Sequence, residues 1–150
     1  MIDTSERSDD LPIKLREGQQ SDFAYILKTW SVDYHKTFPV INIPNSLYFP
    51  HQKDLITKIV LKCGAIVACA DDEPDLIVGY IISEPYGESS TIVHWANVKG
   101  IYRRMGIFNN MLSEAAPEKT LIATHNFHLF NNFKTKYNFI YDPYQLEKYL

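Results

Sequence analysis

Fifteen residues, Val98-Lys99-Gly100-Ile101-Tyr102-Arg103-Arg104-Met105-Gly106-Ile107-Phe108-Asn109-Asn110-Met111-Leu112, join an apolar strand-like stretch to an apolar helix-like one through a basic turn that contains glycine. A helix starting near Gly106 leaves its first backbone N–H groups without intrahelical acceptors, and its dipole adds positive potential at the same place. Arg103 and Arg104 bring two permanent charges there, and Gly106 has no side chain to hold a ligand away from the backbone. The chemistry that fits is anion binding, with a nucleotide or a pyrophosphate as the expected ligand. Neither commoner phosphate loop is spelled: there is no Gly-x-x-x-x-Gly-Lys-Ser/Thr run, and no Gly-x-Gly-x-x-Gly follows a strand.

Other constellations are weaker. His125-x-x-His128 would present two imidazoles on one helical face, but zinc needs a third and usually a fourth ligand and no neighbouring Cys or carboxylate completes the set, so no metal is expected. Cys63 and Cys69 stand across an expected break, with a spacing unlike a zinc knuckle or a redox pair; both read as buried, free thiols. The absence of Gly-x-Ser-x-Gly leaves a serine hydrolase without support.

The elements that must position the turn follow from patterning. Ile13 to Leu15 is a short strand candidate; Ser21-Asp22 then cap a stretch whose apolar residues Phe23, Ile26, Leu27 and Trp30 recur at helical spacing. Residues 33 to 51 carry Pro39, Pro44 and Pro50 and are not expected to form one regular element, whereas Asp54 to Lys62 resume helical spacing. After a break at Gly64, Ala65 to Ala70 and Leu76 to Ser83 read as strands around the acidic turn Asp71 to Asp75, and Thr91 to Val98 as a third. Ile107 to Ala116 is the helix after the turn. Leu121 to Thr124, Phe127 to Lys136 and Phe139 to Tyr141 give strand, helix and strand.

With 150 residues and 45% hydrophobic content the chain can bury one substantial core, and no run reaches the roughly 18 apolar residues of a membrane span. A net charge of -3, with basic residues scattered apart from the pair at the turn, argues against a surface that coats nucleic acid. Two cysteines and no apolar signal segment make the cytoplasm the expected compartment. Residues 1–10 are polar, acidic and aperiodic and read as a disordered tail, with 11–150 as a single domain.

This order of elements, together with Arg103-x-x-Gly106-x-Phe108, resembles the GNAT superfamily of acyl-CoA-dependent N-acetyltransferases, whose signature is Gln/Arg-x-x-Gly-x-Gly/Ala. The likeness runs from about Ile13 to Tyr141 and implies an α/β (α+β) fold with a mixed, mostly antiparallel central sheet flanked by helices. It implies that Val98, Arg103, Arg104, Met105, Gly106, Ile107 and Phe108 cradle the pyrophosphate of acetyl-CoA as co-substrate, and that Asn126 contacts the pantetheine arm. Asn126 reads equally as a helix N-cap. Phe108 stands where a small residue is usual, which implies a helix set slightly further from the cofactor. The surroundings of Ile43-Pro44-Asn45 and of Tyr80-Ile81 resemble uncharacterised GNAT-like proteins of tailed bacteriophages.

If acyl-CoA binds, the chemistry is attack of an amine on a thioester, and an alkyl ammonium with a pKa of ~10.4 must first lose a proton. His94 lies four residues before Val98, so alternation places both on one face provided no bulge intervenes. A histidine at this offset in arylalkylamine acetyltransferases implies a base role for His94; the alternative is a half-buried core histidine. Glu84 and Glu88 are fallback bases, each otherwise a solvated carboxylate. The resemblance implies a backbone N–H of the strand Thr91 to Val98 as oxyanion donor. It also implies a tyrosine acid on the last helix, but that position falls on Lys134 or Phe133, leaving Tyr137 or Tyr141 as substitutes unless these simply pack. Trp30, Tyr34, Phe38, Tyr48 and Phe49 read as core or lid in the region that borders the acceptor groove of GNAT proteins.

The leading expectation is therefore an acetyl-CoA-dependent N-acetyltransferase working by direct transfer to an amine-bearing small molecule or protein, with neither nucleic acid nor membrane as partner and a homodimer compatible with it. Its rival is a GNAT-fold binding protein of little or no activity. A nucleotide-binding α/β domain unrelated to that superfamily rests on the anion turn alone.

Overall fold

In the computed structural model, which describes residues 12–117, 120–134 and 136–150, the period-2 stretches pair into one six-stranded sheet in sequence order. The expected tail over residues 1–10 lies outside the described residues. The strands are β1 (Ile13–Glu17), β2 (Ile66–Ala70), β3 (Glu73–Tyr86), β4 (Ser90–Val98), β5 (Thr120–Ala123) and β6 (Asn138–Tyr141). β1, β2, β3 and β4 pair antiparallel in turn, whereas β5 runs parallel to both β4 and β6. The helices are α1 (Phe23–His35), α2 (Asn45–Cys63), α3 (Ile107–Ala115) and α4 (His128–Phe133), with 3-10 turns at Gln20–Asp22, Gly100–Tyr102 and Pro143–Tyr149. A mixed, mostly antiparallel sheet flanked by helices is the architecture that the sequence implied.

Three local expectations change. Asp22 does not cap α1 through its side chain: its carboxylate accepts from the Gln19 N–H at 2.7 Å and takes both ends of the Arg16 guanidinium at 2.8 and 2.9 Å. That bidentate pair fastens β1 to the start of α1. Second, α2 begins at Asn45, nine residues before Asp54, and carries Pro50 inside it. Proline there forfeits one backbone hydrogen bond, but Tyr48, Gln52, Leu55, Ile56 and Ile59 are buried along one face, and packing outweighs the loss. Third, the acidic turn is shorter than expected, because β3 already starts at Glu73 and runs on to Tyr86.

The sheet's two faces are assigned by polar contacts. The Tyr80 hydroxyl meets Thr29 Oγ1 of α1 at 2.6 Å, and Asn97 donates to Asp33 of α1 at 3.2 Å, so these side chains lie on the α1 side. There Trp30 of α1 stacks on Trp95 of β4, with ring centroids 5.8 Å apart. α3 covers β2, β3 and β4 on the face that carries Val98, burying Ile107, Phe108, Met111 and Leu112. No helix among the described residues is long and apolar enough to cross a membrane.

Candidate active site

The turn after β4 is built as its residue types suggest. Arg104 and Gly106 both take left-handed backbone, at φ 69° and 78°, and Gly106 is the N-cap of α3. A non-glycine residue in that region costs about 1–2 kcal/mol and signals a shape held by its surroundings. The first helical bond runs from Asn110 N–H to the Gly106 carbonyl, so the N–H groups of Ile107, Phe108 and Asn109 have no intrahelical acceptor. Nothing lies within 4 Å of where a Cβ on Gly106 would stand, which leaves the approach to the backbone open. Arg103 Nε donates to the Val98 carbonyl at 3.0 Å, closing the turn and leaving the guanidinium amino groups for a ligand.

This turn lines a cavity of about 710 Å³, formed with Asn109 of α3 and with His128, Leu129, Asn132 and Phe133 of α4. Of the residues expected to bind cofactor, Val98, Arg103, Arg104, Gly106, Ile107 and Phe108 line it. Met105 does not; its side chain packs partly against the core. Phe108 is turned inward, its ring 5.1 Å from that of Phe133, so the departure from a small residue is absorbed by aromatic packing.

A second cavity of about 330 Å³ adjoins the first, sharing Val98, Arg103, His128 and Leu129. Its origin is in the sheet. β4 pairs with β5 only from Ser90–Thr120 to Val93–Ala123; beyond that the strands part, and Trp95, Ala96 and Asn97 face Asn126 and Asn131 across the gap. Asp33, Lys36 and Thr37 at the end of α1 complete it. Asn126 thus sits beside the turn, with its buried Oδ1 lacking a hydrogen-bond partner. It makes no N-cap, since α4 is capped at Phe127 without a side-chain bond. A strand edge without a neighbour and an unpartnered carboxamide oxygen together suit a ligand that carries amide groups.

The alternation argument for His94 fails. β3 pairs Ile81 with Ala96 and Ile82 with Trp95, then shifts so that Ser83 faces Val93 and Glu84 faces Ile92, leaving His94 as the extra residue of a bulge. Paired residues share a face, so Val98 lies with Gly79 on the α3 side, whereas His94, bonded to Glu84, turns to the α1 side. It is fully buried and lines neither cavity; its Nε2 is 2.6 Å from Glu84 Oε2 and its Nδ1 is 3.0 Å from Thr124 Oγ1. Burial lowers its pKa, although Glu84 acts in the opposite sense. Glu84 is no solvated carboxylate: burial would raise it, but hydrogen bonds from Lys148, Tyr149, His94 and Cys63 prevail and hold it at about 2. Glu88 is exposed.

Tyr137 donates to Asn109 and Tyr141 is 45% exposed beside Phe130, and neither lines either cavity. His125 precedes α4 instead of sharing its face with His128: it is buried against Trp30, Trp95 and Tyr34, while His128 is exposed. Cys69 is buried and Cys63 half-buried, both free. Of the expected aromatics, Trp30, Tyr34 and Tyr48 are core and Phe38 is 80% exposed; the second cavity takes Asp33, Lys36 and Thr37 from this region instead. Those three, with Asn97, Asn131 and Asn132, escape a reading of the sequence because nothing in their own segments singles them out.

No protein-family model and no curated protein matches the sequence. Solved structures do match in shape. A GNAT family acetyltransferase from Brucella melitensis, determined in complex with acetyl-CoA, aligns over 82% of this chain and 82% of its own at 12% identity and a TM-score of 0.52. A candidate acetyl transferase from Pyrococcus furiosus aligns over 83% and 90% at 14% identity and a TM-score of 0.57. A candidate acetyltransferase from Clostridium difficile 630 aligns over 83% and 87% at 18% identity and 0.53. With the sheet parting after Val93 and the glycine-capped basic turn before α3, this chain has the fold of the GNAT acetyltransferases.

Proposed function

We propose that the chain binds acetyl-CoA and transfers its acetyl group directly to an amine. The observation that carries this reading is the continuity of the two cavities. The turn supplies unpaired N–H groups and arginines for a pyrophosphate, and the gap between β4 and Asn126 leads from it past Val98. A pantetheine arm laid in that gap would complete the edge of β4 and bring its thioester beside Trp95, Ala96 and Asn97. A backbone N–H there would take the oxyanion of the tetrahedral intermediate. The Brucella melitensis neighbour holds acetyl-CoA on the same fold, which supports this choice of co-substrate.

The amine enters from the side of Asp33, Lys36 and Thr37, where the Asp33 carboxylate is set to orient an ammonium. A base must touch the proton that it removes. His94, enclosed between Glu84 and Thr124, is assigned to hold the bulge in place. His128, which lines both cavities, is assigned the proton, which Nε2 takes by giving up the hydrogen bond that Asn132 Nδ2 donates to it at 2.9 Å. The thiolate leaves toward the same cavity, protonated from solvent.

The test is release of free coenzyme A thiol from acetyl-CoA in the presence of a panel of polyamines, arylalkylamines and lysine peptides, with the acetylated product identified by mass spectrometry. The expected result is transfer to at least one amine, with kcat lowered roughly 100-fold or more in His128→Asn and little changed in His94→Gln. Loss of transfer in His94→Gln alone, with acetyl-CoA binding retained, would return the base role to His94. Phe133, one of the two positions, with Lys134, at which the resemblance implies an acid tyrosine, stands on the cavity wall and favours a second reading, a binding protein of the same fold. Tight acetyl-CoA binding with no transfer to any amine would establish that reading.

A further inference from the structure

The bulge at His94 does more than turn one ring. Three side chains from distant elements converge on a single oxygen, Glu84 Oε2. His94 Nε2 of β4 is 2.6 Å from it, Cys63 Sγ at the end of α2 is 3.3 Å away, and the Tyr149 hydroxyl of the C-terminal 3-10 turn contacts it as well. Sγ, Nε2 and the carboxylate oxygen all lie within 4.8 Å of one another, and the Tyr149 hydroxyl is 3.3 Å from Sγ on the fourth side. A carboxylate oxygen has two lone pairs, so three donors crowd it. The same four atoms can ligate a small cation once the side chains move apart from Oε2 to admit it.

From this geometry we infer that Cys63, Glu84 and His94 form a site for one divalent transition-metal ion, zinc by preference, with the Tyr149 hydroxyl or a water as fourth ligand. Thiolate, imidazole and carboxylate together are a donor set for zinc, with expected bonds of about 2.3, 2.0 and 2.1 Å. Binding breaks the Cys63–Glu84 and His94–Glu84 hydrogen bonds and forms metal–S, metal–N and metal–O bonds. The Cys63 thiol gives its proton to solvent, the proton of neutral His94 moves from Nε2 to Nδ1, and no redox change occurs. The two remaining charges, thiolate and carboxylate, neutralise the ion.

The surroundings supply the support that metal ligands need. His94 Nδ1–H can donate to Thr124 Oγ1, whose hydroxyl donates on to His125 Nδ1 at 2.8 Å; this leaves the Nε2 lone pair for the metal. Lys148 contacts the other carboxylate oxygen, Oε1, and holds Glu84 in orientation. Half-buried Cys63 gives the ion a way in from solvent. The expectation that no metal binds was drawn from the pair His125 and His128, and this cluster joins residues that no local spacing brings together. Its role is to brace the β4 bulge against the end of α2 and the C-terminal turn, and it does not depend on acetyl transfer.

The experiment uses the full chain, stripped with a chelator, dialysed and titrated with Co²⁺ and then Zn²⁺. One Co²⁺ per chain should bind with a thiolate-to-cobalt charge-transfer band and tetrahedral d–d absorption, both removed by one equivalent of Zn²⁺. Cys63→Ser should abolish the charge-transfer band, and His94→Asn should weaken binding by roughly 100-fold or more; Cys69→Ser should change neither. Independently of any variant, saturating Zn²⁺ should protect Cys63 of the wild-type chain from alkylation, read by mass spectrometry. Sub-stoichiometric binding, a Co²⁺ complex without the sulfur band, or equal alkylation of Cys63 with and without Zn²⁺ would each overturn the assignment.

Discussion

Val93 and Ala123 are the last pair of the β4–β5 ladder, and both cavities adjoin chain that lies beyond them. The next residue is the bulged His94, so the ladder ends where β4 changes its register against β3. A bulge bends its strand and increases its twist, which gives a physical reason for β4 to leave β5 at that place. The gap then opens directly onto the basic turn that follows β4.

Arg104 is exposed at the turn, so Arg104→Glu should leave folding intact while replacing attraction by repulsion. Losing one charge-assisted contact should weaken acetyl-CoA binding by roughly 10- to 100-fold. Calorimetric titration checks this, and equal affinities would move the pyrophosphate away from the turn. Arg103→Glu should weaken binding likewise and also lower Tm, because it removes the bond to the Val98 carbonyl.

Gly106 has free space around it but a φ of 78°. Gly106→Ala should therefore cost about 1–2 kcal/mol through backbone strain alone. Gly106→Asn, which tolerates that region better, should cost less. Urea denaturation distinguishes the two variants; identical stabilities would mean that the turn relaxes to another conformation.

Gly79 meets a steric limit instead. A Cβ there would stand 2.6 Å from the Asn97 carbonyl and 3.3 Å from Val98 Cγ2. Gly79→Ala should force β3 from β4 beside the gap, at about 1–3 kcal/mol. The loss of Tm should be accompanied by weaker acetyl-CoA binding, whereas Gly87→Ala, with nothing within 4 Å, should leave cofactor affinity unchanged.

Acid should destabilise the fold through His125. Burial holds this ring at about 3, well below its ordinary 6.5. Between those values the unfolded chain takes up a proton that the folded chain refuses, so the contribution is whole above pH 6.5 and falls as pH drops toward 3, by at most about 1.4 kcal/mol per pH unit. His94, lowered in the same sense, adds to the slope. His125→Phe should reduce, without abolishing, the loss of stability between pH 6.5 and 5, measured by urea denaturation. An unchanged slope would show that the buried ring is not the titrating group.

The turn from Val98 to Phe108 was legible because everything that makes it is local: two arginines, a glycine that takes positive φ, and an apolar helix after it. The same holds for most strands and helices, whose periodicity records which side of each segment is covered. Pro50 marks the first limit, since proline discourages helix locally and only packing by Tyr48 and Leu55 shows that α2 passes through it. His94 marks the second. Its face follows from the register that β3 imposes on β4, a relation between strands that β4 does not carry in its own alternation. The cavity that joins Asp33 to Asn97 and Asn126, and the cluster that joins Cys63 to Glu84, His94 and Tyr149, draw on residues far apart in the chain. Local residue types determined what each segment could become, because backbone geometry and helix ends act over a few residues. Which side chains meet was decided only by tertiary structure, because register, bulges and packing are properties of pairs of segments.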